Sequence, residues 1–258
     1  MTETLVLIHG MWADGPYARN FQSFFEDKGF HCIAPTLRHH GRPAEPPHPD
    51  LGTTSLLDYA ADLEAEIRAL ESLPILVGHS MGGLLAQMLA ARGLAKAALL
   101  ITPASPAGIV AIRLSVLRAF ASGLLRWGFW RKPNRQTFGE FSYSMYHLLP
   151  LEEQRMLYSQ AGYESGRAAA EIGFWLFDPH RAARVDAKRV TCPMLIVGAS
   201  KDRITPVSVL RKVARKYRHV AEYKEFAGHA HGLMYEQGWE EIARYCADWL
   251  AGLDKSGD

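Results

Sequence analysis

The sequence predicts an α/β fold in which a mostly parallel sheet carries helices on both faces. Short apolar runs alternate with helical patterns along most of the 258 residues, and this alternation is typical of parallel sheets covered on both sides. The alternation stops between residues 103 and 185, where the pattern favours helices throughout. We therefore expect a core formed by residues 1–102 and 186–258, into which residues 103–185, here called the cap segment, are inserted as a helical cap.

The part of the core before the cap segment is expected to contain four strands and three helices. Runs rich in Leu, Ile and Val indicate the strands, and apolar residues at helical spacing indicate the helices. The predicted strands cover 5–8, 31–37, 74–77 and 97–101, and the predicted helices cover 17–27, the stretch that begins at 55, and 84–91. Residues 38–52 are rich in Pro, Gly and His, so we expect an irregular surface loop there.

The part of the core after the cap segment continues the alternation. Strands are predicted over 194–197 and 221–226, and helices over 207–216 and 239–253. The final residues, 254–258, are mostly polar and follow the last helical pattern. We expect this tail to be disordered.

Composition and charge exclude several classes of protein. The 29 basic and 27 acidic side chains give a net charge of +2 and are scattered along the chain, which does not favour a nucleic-acid partner. No apolar stretch has the length of a membrane span or the form of a signal peptide. Cys32, Cys192 and Cys246 lack the spacing of a zinc site or a disulfide framework. We expect a cytoplasmic protein with reduced cysteines, and its oligomeric state stays open.

Three histidines, His39, His40 and His48, lie in the predicted loop but match no metal-binding motif. We expect this loop to be solvated, and we predict no metal site. Elsewhere, Glu164 and Arg167 stand three residues apart on a predicted helix, where they are expected to pair with each other.

Residues 109–132 of the cap segment mix apolar residues with arginines at near-helical spacing and end in Trp127, Phe129 and Trp130. We expect such a stretch to pack its apolar side on the core beneath arginine stems. Contact with lipid or with a long acyl chain is the alternative. Either arrangement favours an apolar substrate.

The stretch Gly78-His79-Ser80-Met81-Gly82 has the form G-x-S-x-G and lies between a predicted strand and a predicted helix. In this context the pattern is typical of a nucleophile elbow, a sharp turn that exposes a serine Oγ. Glycines permit the turn because side chains in their place would clash with the neighbouring strand and helix. The free N–H groups at the start of the helix can then stabilise an oxyanion.

With this elbow the chain resembles the α/β-hydrolase family, from VLIHG near its start to EIARYCADWL in its last helix. The resemblance implies the α/β-hydrolase fold with Ser80 as the nucleophile. It also implies an oxyanion hole formed by the backbone N–H groups of Met11 and Met81. His9 is expected to hold the Met11 loop by hydrogen bonds.

The acid and the base of such a site follow later strands, in the order Ser, Asp, His. The stretch MLIVGASKDRITP places Asp202 after a strand, and the strand that ends near residue 101 is followed by no acid. The loop after the last strand, EFAGHAHGLMYE, offers both His229 and His231. Family members often have an acidic residue a few positions after the base, and Glu236 fits this pattern from His231. We select His231 as the base and keep His229 as the alternative.

These residues predict a serine hydrolase that needs no cofactor and cleaves carboxylic esters through an acyl-enzyme on Ser80. Its expected partner is a small or medium, largely apolar, ester-like molecule, with Trp12 and His79 lining the pocket. Lactone or thioester hydrolysis, acyl transfer and perhydrolysis use the same triad and stay as alternatives. A ligand-binding protein without turnover is an alternative of a different class, which the intact triad disfavours.

Overall fold

A computed structural model describes residues 2–41 and 46–255 of the chain. The strands are β1 (Thr4–Ile8), β2 (His31–Ile33), β3 (Ile75–His79), β4 (Ala97–Ile101), β5 (Pro133–Asn134), β6 (Glu164–Ser165), β7 (Met194–Ala199) and β8 (Ala221–Phe226). The α-helices are α1 (Arg19–Glu26), α2 (Leu56–Arg68), α3 (Met81–Ala90), α4 (Leu114–Ala119), α5 (Ala121–Leu124), α6 (Phe138–Ser144), α7 (Leu151–Gln160), α8 (Gly166–Gly173), α9 (Val207–Lys216) and α10 (Trp239–Lys255). Short 3-10 turns cover Gly15–Ala18, Leu51–Thr53, Phe129–Arg131, Trp175–Phe177 and Ala187–Arg189.

Six strands form one parallel sheet in the order β2-β1-β3-β4-β7-β8. This confirms the predicted α/β architecture with a mostly parallel sheet. The chain moves outward from β1 to β2 and then returns to place β3 on the other side of β1. In open α/β sheets, ligands bind at the carboxyl ends of the strands near such a change of direction. The topology therefore favours a ligand site at the loops that follow β1 and β3.

The strands are nearly continuous in apolar residues because both faces of the sheet are buried. Successive residues of β1 point to opposite faces: Val6 and Ile8 belong to one hydrophobic cluster, while Leu5 and Leu7 belong to the other. This double burial fixes the strand ends, and with them the loops that carry the polar side chains described below.

Most predicted core elements lie within a few residues of their expected positions, and β4, β8 and α9 have the predicted bounds. β2 ends at Ile33 instead of residue 37, because Pro35 cannot donate a ladder hydrogen bond. The first predicted helix is divided into the turn Gly15–Ala18, which begins around Pro16, and α1. The helix α10 continues to Lys255, which corrects part of the predicted disordered tail. Residues 256–258 of that tail and 42–45 of the predicted loop lie outside the described residues.

The cap segment lies between β4 and β7 and consists mainly of short helices, of which α7 has 10 residues. The sequence predicts helices throughout this segment, and this is wrong in one place: β5 and β6 form a small antiparallel pair through Asn134 and Glu164. A ladder of two residues per strand is too short to produce a detectable alternation in the sequence. Among the described residues, no helix combines the length and the apolar character needed to cross a membrane.

Candidate active site

Ser80 occupies the turn between β3 and α3 in a strained backbone conformation. Its φ is 53° and its ψ is −118°, and such values cost a residue with a Cβ about 1–3 kcal/mol. Backbone hydrogen bonds hold the turn: the Ser80 N–H donates to the Ile101 carbonyl over 3.0 Å, and the Ser80 carbonyl accepts from the Ala104 N–H over 2.8 Å. The surrounding structure therefore fixes the backbone that carries the Ser80 hydroxyl group.

Glycines on both sides of Ser80 let the strand and the helix approach each other. A Cβ on Gly78 would lie 2.4 Å from the Gly82 carbonyl oxygen, and a Cβ on Gly82 would lie 2.1 Å from the Ile8 carbonyl oxygen. Both contacts are with backbone atoms, which cannot move away as a flexible side chain can. The glycines of the motif are thus required by the packing of α3 against β1 and β3.

The loop after β1 passes directly beside the elbow. A Cβ on Gly10 would come within 3.0 Å of the Ser80 Cβ, so the loop can lie this close only with little or no side chain there. Met11 and Met81 both line the cavity that contains Ser80. Because Met81 is the first residue of α3, its N–H has no acceptor within the helix. This N–H group is available to a ligand at Ser80.

His9 holds the loop after β1, as the sequence predicts. Its Nε2 accepts a hydrogen bond from the Leu37 N–H over 3.1 Å, so its Nδ1 donates to the Gly10 carbonyl over 2.8 Å. Burial, and secondly the proximity of His40, lower the pKa of His9 to about 3. The ring therefore stays neutral and keeps these two hydrogen bonds.

Asp202 is buried in the loop after β7 and accepts four hydrogen bonds. Its Oδ1 accepts from the N–H groups of Ile204 and Thr205 over 2.7 and 2.9 Å. Its Oδ2 accepts from Thr205 Oγ1 over 2.7 Å and from His231 Nδ1 over 2.8 Å. Burial alone would raise the pKa of Asp202, but His231 and the bonds from Thr205 outweigh it and hold this pKa below its ordinary value. The carboxyl group is therefore ionised.

His231 is buried, and its two ring nitrogens have different roles. Because an ionised Asp202 can only accept, the imidazole proton lies on Nδ1. Nε2 then carries a lone pair, and within the described part of the chain it is buried without a hydrogen-bond partner. Such atoms are rare in folded proteins and often have a chemical role. The ring lies against His79, the residue before Ser80, with ring centroids 4.9 Å apart.

His79 supports His231 and does not border the cavity at Ser80, in contrast to the pocket role predicted from the sequence. Its Nε2 donates to the His231 carbonyl over 3.0 Å, and its ring stacks on Tyr17 with centroids 5.4 Å apart. Burial, and secondly the proximity of His231, lower the pKa of His79 to about 3. A neutral His79 does not place a positive charge beside His231.

His229 is paired with a different carboxyl group. Its Nδ1 lies 3.1 Å from Glu236 Oε2, and Glu236 also accepts from the Ala230 N–H over 2.9 Å. The sequence pattern associated Glu236 with His231. In the structure, Glu236 is the partner of His229, and His231 has Asp202.

A cavity of about 210 Å³ extends from Ser80 beneath the cap segment. Its walls are mostly apolar and include Phe120, Leu124 and Ile172 from the cap segment and Val209 from the core. Such a site can hold an apolar group next to the serine hydroxyl.

Trp12 is placed behind this cavity instead of in its wall, which also differs from the predicted pocket role. Its ring packs on Phe120 with centroids 5.3 Å apart, and its Nε1 donates to Asn134 Oδ1 over 3.2 Å. It borders a neighbouring cavity on the other side of Met11. Trp12 therefore supports Phe120, which does line the cavity at Ser80.

The prediction that Glu164 and Arg167 pair with each other is wrong. Glu164 belongs to β6 and precedes α8, so the two residues do not share a helical face. The buried Glu164 carboxyl group contacts His40 Nε2 over 3.1 Å and accepts from the Tyr59 hydroxyl over 3.0 Å. Arg167 pairs with Glu171 over 2.9 Å. Neither residue lines the cavity at Ser80.

The loop after β2 brings His39, His48 and Asp50 together, with possible ligand atoms within 4.8 Å of one another. The two imidazole rings stack with centroids 3.8 Å and planes 16° apart. The nitrogen lone pairs lie in the ring planes, so in stacked rings they do not converge on a single ion. This geometry does not favour a metal site.

Sequence reasoning did not identify Thr205 or Asn134. The signal for Thr205 is its position three residues after Asp202, because Asp and Thr at this spacing often form a turn stabilised by their side chains. Asn134 lines the cavity at Ser80 and holds Trp12. No pattern in the cap segment predicts its position.

Comparisons with known proteins identify the family and the fold of this chain. The sequence model of the alpha/beta hydrolase family matches residues 5–245. The structure is similar to a pyrethroid hydrolase from Sphingobium faniae JZ-2, with a TM-score of 0.71 and 17% identity, over 96% of this chain and 97% of that one. It is also similar to a methylesterase from Arabidopsis (TM-score 0.72, 12% identity, 97% and 99% of the two chains). A monoacylglycerol lipase from Paleococcus ferrophilus gives a TM-score of 0.71 and 21% identity, over 97% and 96% of the two chains. At these identities the solved structures show a shared fold, and the match to the family model, which spans nearly the whole sequence, shows that this chain belongs to the alpha/beta hydrolase family.

Proposed function

We propose that this protein is a cofactor-independent serine hydrolase that cleaves carboxylic esters through an acyl-enzyme on Ser80. The observation that carries the proposal is the buried pair of Asp202 and His231: the His231 ring lies against His79, the residue before Ser80, and its unprotonated Nε2 has no hydrogen-bond partner in the described part of the chain. The methylesterase and the lipase among the similar structures add support, since both names denote ester cleavage.

In the proposed reaction, Ser80 Oγ attacks the ester carbonyl carbon while His231 Nε2 takes the hydroxyl proton. The N–H groups of Met11 and Met81 donate to the oxyanion that develops on the carbonyl oxygen. The protonated imidazole then gives its proton to the departing alcohol, and the charge of Asp202 stabilises that imidazolium. Water, deprotonated by the same nitrogen, finally cleaves the acyl-enzyme.

The cavity supports a small or medium, largely apolar substrate, with residues 103–185 acting as a cap that covers it. The volume of about 210 Å³ is below the range of about 300–1,000 Å³ that is typical of ligand pockets. A charged acyl group would lose its hydration there without gaining an ionic partner from the apolar walls. We therefore expect esters with charged acyl groups to have the lowest kcat/KM in a substrate series.

The direct test is the variant Ser80→Ala. It should keep the fold and lose about four to six powers of ten in ester turnover, as expected for removal of a serine nucleophile. It should also resist labelling by a fluorophosphonate. The matched control is Ser105→Ala, because Ser105 is a buried serine that lines the same cavity.

Near-normal turnover or labelling of Ser80→Ala would contradict the proposal. A ligand-binding protein without turnover would leave the wild-type chain unlabelled. Activity should also survive prolonged treatment with a chelator, and loss of activity that one added divalent metal restores would contradict the cofactor-independent reaction.

A further inference from the structure

The cap segment exposes large apolar side chains. Leu114, Leu125, Trp127, Leu176 and Phe177 have 86, 85, 86, 71 and 83% of their surface exposed. We call these five residues the cap patch. Exposed apolar side chains that adjoin one another can mark an interaction site.

Aromatic contacts connect the two stretches of chain that form the cap patch. The rings of Trp127 and Trp130 have centroids 5.5 Å apart, and those of Trp130 and Phe129 are also 5.5 Å apart. Phe129 in turn contacts Phe174 over 5.9 Å, three residues before Phe177. These contacts connect the stretch that contains Trp127 with the stretch that contains Leu176 and Phe177.

The cap patch continues into the cavity at Ser80. Leu176 and Phe177 line that cavity although they are mostly exposed, and the exposed residues Val110 and Ile112 line it as well. The apolar wall beside the serine thus reaches the outer surface of the protein. An apolar molecule held at this surface would lie at the entrance to the site.

All the charged residues in the first part of the cap segment are basic. Residues 103–139 contain six basic residues and no Asp or Glu. Five of them are exposed: Arg113, Arg118, Arg126, Arg131 and Lys132. None of these five forms an ion pair with a carboxylate within residues 2–41 and 46–255.

Two acidic residues lie close to the cap patch in the sequence, and both have partners. The Glu171 carboxyl group is buried and paired with Arg167. The Asp178 carboxyl group accepts from the N–H groups of His180 and Ala182. Asp178 keeps its negative charge, because N–H donors do not neutralise a carboxylate, and the Glu140 carboxyl group contacts Ser122, three residues before Leu125. The five exposed cations outnumber these two carboxylates, so the net charge near the cap patch is positive.

This combination separates two possible occupants of the cap patch. In a symmetric dimer the same surface meets itself, so the exposed cations of two copies would face each other in excess over the carboxylates nearby. A lipid surface with anionic headgroups complements both features, because Trp, Leu and Phe enter the interface while Arg and Lys bind the headgroups.

We propose that the cap patch binds lipid surfaces that carry anionic headgroups, and that apolar substrates pass from the lipid into the cavity at Ser80. The binding of lipid does not depend on any reaction at the serine. Only the delivery of substrate rests on the proposed function.

Flotation with lipid vesicles tests the binding, in a Ser80→Ala background so that hydrolysis plays no part. The vesicles are phosphatidylcholine alone and an equal mixture of phosphatidylcholine and phosphatidylglycerol. We expect binding to the mixture that weakens as salt is added. Leu125→Ser with Trp127→Ser should weaken it about tenfold or more, because each side chain loses its apolar contact with the lipid.

A second variant tests the charges. Arg126→Gln with Arg131→Gln should weaken binding to the anionic vesicles by about fivefold per side chain. Its control is Arg215→Gln with Arg218→Gln, which removes the same charge from exposed positions around the end of α9. The control for the apolar variant is Leu73→Ser, because Leu73 is 51% exposed and precedes β3 at the amino end of the sheet.

Both controls should bind like the parent protein. Failure of the parent to bind anionic vesicles would overturn the proposal, and so would equal losses in the cap variants and their controls. A solution dimer that Leu125→Ser with Trp127→Ser dissociates, without any vesicle binding, would identify the patch as a subunit interface and overturn it too. Neither Leu125 nor Trp127 lines the cavity, so this pair in the Ser80-containing protein should leave turnover of a water-soluble ester unchanged. That measurement separates failure of lipid binding from failure of the proposed reaction.

Discussion

The variant Asp202→Asn tests how the site fixes the proton on His231. Asp202 Oδ1 accepts the N–H groups of Ile204 and Thr205, so the amide oxygen of Asn must take this position. The NH₂ group then takes the place of Oδ2 and donates to His231 Nδ1, which moves the imidazole proton to Nε2. In that tautomer Nε2 cannot accept the proton of Ser80.

The expected consequence is a large loss of rate with little loss of structure. We expect kcat to fall about 10⁴-fold, as it does for the same change in other Ser-His-Asp sites, which corresponds to about 5.5 kcal/mol of activation free energy. The fold should persist because Asn keeps both backbone hydrogen bonds. The displaced Thr205 hydroxyl can donate to the Thr102 carbonyl, 3.1 Å away.

The assay combines turnover of a short ester with nitrogen NMR of His231, which reports the ring nitrogen that carries the proton. Thr205→Val is the matched control: it removes one donor from Asp202 Oδ2 but leaves the proton on Nδ1, so its loss of rate should be much smaller. A folded Asp202→Asn protein with kcat within tenfold of wild type would refute this reasoning. A proton that stays on Nδ1 in that variant would do the same.

Three further changes test the remaining parts of the structure. His231→Ala should abolish both ester turnover and fluorophosphonate labelling while His229→Ala reduces them modestly, and the opposite result would exchange their roles. Burial alone would lower the pKa of His40, but its carboxylate partner in β6 raises this pKa above 6.5. The pair therefore stabilises the fold fully below pH 6.5. This stabilisation is lost as the pH rises through the raised pKa of His40. His40→Gln should accordingly lower the free energy of unfolding more in mildly acidic than in alkaline urea titrations, and an equal loss in both would contradict the assignment. Gly82→Ala, whose Cβ would lie 2.1 Å from a backbone oxygen, should cost about 3 kcal/mol or more, whereas Gly139→Ala in α6, with open space around it, should stabilise by up to about 1 kcal/mol; similar melting temperatures for the two would show that the elbow is not tightly packed.

The core strands could be predicted from the sequence because burial on both faces leaves a run of apolar residues that ends where the strand ends. This is why β4 and β8 have their predicted bounds. At the sheet edge the same reasoning predicts too long a β2. An edge strand ends where its ladder hydrogen bonds end, and Pro35 cannot donate one. In the cap segment neither rule holds, because its elements are short and are fixed by contacts between distant residues, such as Trp12 with Asn134.

The candidate site could be predicted as far as each residue follows directly from a strand end. Ser80 follows β3 and Asp202 follows β7, so the parallel sheet brings both to one edge. The pocket is different, because its walls depend on how the cap segment folds over that edge. Position along the chain alone predicts that Trp12 and His79 line the pocket. In the structure both residues instead support the residues at the cavity from behind.

The two histidines after β8 show why a motif alone does not identify a base. Each lies beside a carboxyl group, so the pairs His231–Asp202 and His229–Glu236 look alike in outline. His231 and the hydrogen bonds from Thr205 hold the pKa of Asp202 below its ordinary value, whereas burial raises the pKa of Glu236. The positions of the two rings separate the pairs: His231 lies against His79, the residue before Ser80, and its Nε2 is buried without a partner in the described part of the chain, whereas His229 lies against Phe226. The position of its ring therefore favours His231 where the spacing of the histidines permits either.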